Sequence, residues 1–108
     1  MNVRELAHVM ALTEFIMPEP DREVNGGYVG DLLSWVMGRA QAGNAWLTIM
    51  SNQNVAAVAL MAEVACVVLT EGVVPDETLR QRAEQNINIL GTKLSTFDAA
   101  SVLKQLLR

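Results

Sequence analysis

The sequence predicts an α/β fold: a single compact domain over residues 1–108, built on a mostly parallel sheet with βαβ crossovers and flanking helices. Three observations carry that expectation. From Ala45 onward, strand-like and helix-like stretches alternate, and strands joined through helices run parallel by right-handed crossovers. AWLTIM and ACVVLT are nearly continuous apolar runs, the pattern of strands covered on both faces. At 108 residues the chain is about one domain long and needs no disulfide or metal to hold a core.

Taken in order, Asn2 is placed to cap a first helix with Val3, Leu6, Ala7 and Met10 on one face and Glu5 completing a capping box. Leu12 to Met17 reads as a strand. PEPD follows, and its prolines at 18 and 20 force a loop. Glu23 to Val29 reads as a second strand, in which adjacent glycines suggest a bulge or a close backbone approach. Asp31 is expected to cap a helix through Leu32, Leu33, Trp35 and Val36 that stops at Gly38.

The regular part then runs as strand Ala45 to Met50, helix Gln53 to Glu63, strand Ala65 to Thr70, helix Asp76 to Gln85 and strand Ile87 to Leu90. A last helix, Thr96 to Leu107, is introduced by Ser95 with Asp98 three residues on, and carries Ala99, Val102, Leu103 and Leu106. The helices differ in expected exposure. VAAVALMAEV is apolar almost all round, which predicts burial on more than one side, in the core or at a subunit contact. DETLRQRAEQ is polar except for Leu79 and Ala83, which predicts a surface helix.

Composition narrows the function classes. A net charge of -4 and scattered basic residues argue against a nucleic-acid footprint. The longest uninterrupted apolar run, Val55 to Ala62, is far short of the roughly twenty residues a membrane helix needs. Arg4, Glu5 and His8 interrupt the first ten residues where a signal peptide would have its apolar stretch, so a cytoplasmic location is expected. Hydrophobic residues make up 51% of the chain and mean hydropathy is +0.23, so apolar surface should be left for a partner.

No catalytic set emerges. His8 is the only histidine and Cys66 the only cysteine, so histidine-based zinc spacings, cysteine clusters and disulfides within the chain cannot be written. Cys66 lies in an apolar run that suits a buried, inert thiol. Glu14, Glu19, Asp21, Glu23 and Asp31 are near one another in sequence, but turns and helix starts account for acidic residues there. DREVNGGYVG matches neither the Rossmann glycine pattern nor a Walker A loop. In an open parallel sheet ligands settle beyond the carboxyl ends of the strands. That points to the SNQN and GTKLS turns, where hydroxyl and amide side chains serve either as caps or as anion ligands.

DREVNGG followed by YVGDLLSWVMG, with SNQNVAAVA, ACVVLTEG and NINILGTKLSTFDAA, resembles the DRTGG domain. Asp21, Arg22, Gly26 and Gly27 keep the outer letters of that name, with Glu-Val-Asn between Arg22 and Gly26. The stretch is also similar to the amino-terminal domain of HPr kinase/phosphorylase and, more distantly, of Mur ligases. The resemblance implies an α/β accessory domain without activity of its own. Such domains are attached to phosphotransacetylases, cobyrinic-acid-synthase-like proteins and CBS-containing pyrophosphatases, and stand-alone members are often encoded beside iron-only hydrogenase subunits. It assigns no cofactor and no metal.

The leading expectation is therefore a non-enzymatic regulatory or interaction module, homodimeric, with a partner enzyme in a metabolic or hydrogenase-related system. The alternative is a sensor binding a nucleotide or phosphorylated metabolite at the strand ends through Arg22, Asn25, Ser51, Asn52, Asn54, Thr92 and Ser95. Asp21, Arg22, Gly26, Gly27 and Asp31 are expected to act structurally, the first two as hydrogen-bonding anchors of the loop and the glycines where a side chain would not fit.

Overall fold

A computed structural model describes all 108 residues. The elements are α1 (Val3–Val9), β1 (Thr13–Ile16), β2 (Gly26–Val29), α2 (Leu33–Arg39), β3 (Asn44–Thr48), α3 (Asn54–Ala62), β4 (Cys66–Leu69), α4 (Glu77–Ala83), β5 (Ile89–Gly91) and α5 (Thr96–Leu106). The strands form one sheet in the order β1-β5-β4-β3-β2. Four of them are parallel neighbours, and β1 lies antiparallel along β5 at the far edge. The α/β expectation of a mostly parallel sheet holds.

Each crossover from β2 to β5 moves one strand along the sheet in the same direction. That consistency puts α2, α3 and α4 on one face and leaves the other to α1 and α5. The alternation of side chains along the strands feeds both layers. Ala45, Leu47, Cys66, Val68 and Leu90 pack with Val3, Leu6, Ala99 and Leu103. Trp46, Val67, Leu69 and Ile89 pack with Val36, Val55, Ala59, Leu79 and Ala83. Every residue of β3, β4 and β5 is buried, which is why those strands read as unbroken apolar runs.

The ends of the helices follow local chemistry. Asn2 and Glu5 make the full capping box of α1, and two further free N–H groups of that helix, on Val3 and Arg4, donate to the carbonyls of Arg22 and Pro20. The Ser95 hydroxyl accepts from the Asp98 N–H at the start of α5. Three expectations need correction. Asp31 does not cap α2, because the chain stays extended through Leu32, which takes the cap position without a side-chain bond; the Asp31 carboxylate turns to β3 instead. The second strand begins at Gly26, with Glu23 making only an isolated bridge to Asn2. The third concerns α3, whose Val55, Ala56, Val58 and Ala59 are buried while Leu60 and Met61 stand 56% and 69% exposed, so of its two expected settings the core alone does not cover it.

Helix α4 is the surface helix its sequence suggests, with only Leu79 and Ala83 buried. No helix is long and apolar enough to cross a membrane.

Candidate functional site

The carboxyl ends of β2 to β5 gather the polar loops where an α/β sheet ordinarily binds ligands. Three short networks fill that edge. The Asp31 carboxylate, just past β2, accepts from the Thr48 hydroxyl at 2.7 Å and the Ile49 N–H at 3.0 Å, tying the end of β2 to the end of β3. The Ser51 hydroxyl donates to the Asp76 carboxylate at 3.2 Å, joining the β3–α3 and β4–α4 loops. Thr70 and Thr96 share a hydroxyl bond of 2.6 Å, and the Glu71 carboxylate accepts from the Thr96 N–H at 2.8 Å at the start of α5.

The remaining predicted groups at this edge serve their own turns. Asn52 accepts from the Asn54 N–H at 2.9 Å, the Thr92 hydroxyl accepts from the Leu94 N–H at 3.2 Å, and Ser95 caps α5. Thr48, Thr70 and Thr92 stand in equivalent places, each at or just past the end of a strand. The sequence signal for them was a threonine in or just after each strand-like run. No buried side-chain nitrogen or oxygen in the structure lacks a partner. The charge here is mainly negative: Asp31, Glu71 and Asp76 occupy the loops and Lys93 is their only cation. An edge of this kind repels a phosphate.

Arg22 and Asn25 do not belong to it. Both precede β2 and so sit at the amino end of the parallel strands, across the sheet from Ser51, Asn52, Asn54, Thr92 and Ser95. The seven residues expected to bind one ligand therefore divide between opposite edges. The Arg22 guanidinium donates to the Glu63 carbonyl at 3.0 Å, closing the end of α3, and the Asn25 amide donates to the Ala42 carbonyl at 2.8 Å while accepting from Asn44 at 3.1 Å. Asp21 pairs with Arg4 of α1 across an exposed surface, a contact worth little to stability.

At the same amino end, Asn88 is a residue that sequence reasoning missed. Its buried side chain accepts from the Glu19 N–H at 2.9 Å and donates to the carbonyls of Glu19 and Ala65 at 2.8 and 2.9 Å, stitching the PEPD loop to the start of β4 and β5. The only trace in the sequence is an amide flanked on both sides by isoleucine, in INI.

Neither nucleophile candidate is set up for chemistry. Burial pushes the Cys66 thiol up to about 12, with the Arg22 charge opposing weakly, so it stays protonated and unreactive at neutral pH. His8 is exposed on α1.

A groove of about 450 Å³ lies between the outer strand β2 and the last two turns of α5. Its floor and walls are Gly26, Gly27, Val29 and Leu47 on the sheet side, and Ala100, Leu103, Lys104, Leu107 and Arg108 on the helix side. Ala100, Leu103 and Lys104 fall at i, i+3 and i+4 on one face of α5, and Leu107 and Arg108 follow just past its end. Gly27 lies where β2 passes under α5, and a Cβ there would come within 2.8 Å of the Leu103 Cδ2 and displace that side chain.

A family model for the DRTGG domain matches residues 32–106, most of this α/β unit. The chain belongs to the DRTGG domain family. The match spans α2 through α5 with the carboxyl-end loops after β3, β4 and β5, and in the groove it takes in Leu47, Ala100, Leu103 and Lys104. Asp21, Arg22, Gly26, Gly27 and Asp31 all precede it. The DRTGG family is of regulatory type. No curated protein matches the chain at a significant level.

Proposed function

We propose that this DRTGG domain is a non-enzymatic regulatory module that works by binding protein, as a cytoplasmic homodimer accessory to a partner enzyme in a metabolic or hydrogenase-related system. The observation that carries this reading is the division of labour on the surface. Polar side chains at the carboxyl-end loops are spent on internal bonds, while large apolar side chains stand free beside them. Leu32, Ile49, Val74 and Leu94 are exposed around that edge, and Phe97 at the start of α5 is 83% exposed. Apolar groups grouped in this way mark interaction surface.

The dimer draws on a second apolar surface. Helices α2 and α3 pack side by side and leave Trp35, Met37, Leu60 and Met61 exposed. Light scattering at tens of micromolar tests it: a dimeric mass that falls to the monomer with Leu60→Asp/Met61→Asp is expected, since a stable contact buries well over about 1,000 Å². A strict monomer before substitution removes the dimer from the account.

The alternative, a sensor of nucleotides or phosphorylated metabolites, draws support from the family's regulatory type and from the α5 and α3 amino termini at the carboxyl edge. The acidic character of that edge weighs against it.

A further inference from the structure

The groove beside β2 identifies the kind of segment the module takes. Strand β2 is the last in the sheet, paired on one side only with β3, so alternate residues direct their N–H and C=O groups outward without a partner. Gly27 and Val29 are exposed along it. Across the groove, Leu103 and Leu107 offer apolar contact. Lys104 and Arg108 are the only ionisable side chains lining the groove apart from the Tyr28 phenol, and neither is in a salt bridge. Two free cations beside an open strand edge, in a chain of net charge -4, select for negative charge in whatever lies there.

We propose that the groove receives an extended, acidic segment of a partner protein, which adds a strand to β2 and sets carboxylates against Lys104 and Arg108. Main-chain bonds to β2 supply the docking, and the apolar lining at Val29, Leu47 and Leu107 supplies selection. A second copy of this chain fits less well, because its own groove brings the same two cations, Lys104 and Arg108, to the contact. The proposal rests on the interaction-module reading and narrows it to one surface and one partner chemistry.

The test pans a display library of random dodecapeptides against the full chain. Lys104→Glu/Arg108→Glu changes two exposed side chains and is checked for an unaltered melting curve. The expected result is a set of peptides rich in Asp and Glu whose affinity falls about tenfold or more for the double variant and weakens with salt. Their binding should shift the backbone amide resonances of Gly26 to Val29. A library that yields no binder, acid-poor binders, or binders indifferent to the double variant overturns the proposal. So does a dimer that dissociates with Val29→Asp, which would assign the edge to a second copy. Binders that map elsewhere on the surface remove the groove and leave the module reading standing. A nucleotide-dependent thermal shift without any peptide binder would remove both.

Discussion

Replacing Asn88 by Ala removes the amide that holds the PEPD loop against the sheet. Three hydrogen bonds are lost, two to Glu19 and one to the Ala65 carbonyl. At about 1 kcal/mol net for each, the loss is about 3 kcal/mol. The Glu19 groups can reach water once the loop lifts. The bond to Ala65 is buried, so that carbonyl adds its own desolvation penalty and the figure is a lower bound. A 108-residue domain should then melt roughly 12 °C lower, taking about 4 °C per kcal/mol. Urea denaturation followed by circular dichroism gives the free energy directly, and an unchanged m-value shows that the unfolded state is unaffected. Asn88→Asp should rescue nothing: it keeps the acceptor for the Glu19 N–H but aims an oxygen at two carbonyls. A loss below about 1 kcal/mol for Asn88→Ala, or near-native stability of Asn88→Asp, would refute the hydrogen-bond argument.

Three further outcomes follow from other contacts. Gly43 has φ +85 and a Cβ on it would sit 2.5 Å from the Asn25 amide nitrogen, so Gly43→Ala should cost about 2–3 kcal/mol in denaturant melts through backbone strain and the displaced Asn25. Asp31→Ala should cost about 2 kcal/mol by removing the acceptor for Thr48 and Ile49. Cys66 ionises near its ordinary value of 9.0 when unfolded but only at about 12 when folded, so the folded state retains the proton longer. Stability is full below pH 9 and should fall at about 1.4 kcal/mol per pH unit from there toward 12. Cys66→Ala should show a shallower alkaline decline in pH-resolved melts.

Much of the architecture was legible because it is local. The apolar runs at β3 and β4, the capping box at Asn2 and the hydroxyl at Ser95 each state their structure within a few residues. What was not legible depends on partners far along the chain. Nothing near Thr13 tells that β1 runs antiparallel to β5, since strand direction is settled by which edge is free when the sheet closes. Asp31 looked like a cap because it precedes a helix, but the Thr48 hydroxyl and the Ile49 N–H compete for the same carboxylate and win, with the chain extended through Leu32. Strand direction does separate Arg22 and Asn25 from the other predicted ligands, once β2 is known to begin at Gly26. The groove joins Gly27 to Leu103, a contact between the two ends of the sequence that no local pattern announces.

The most direct measurement of the central claim is a thermal-shift screen of the protein against adenine and guanine nucleotides, dinucleotides and common phosphometabolites. A ligand at one hundred times its Kd adds about 2.7 kcal/mol, several degrees in a domain of this size. An interaction module whose carboxyl-end polar groups are spent on internal bonds predicts a flat screen. A dose-dependent rise that disappears with Ser51→Ala or Thr92→Ala would contradict it and make the domain a small-molecule sensor.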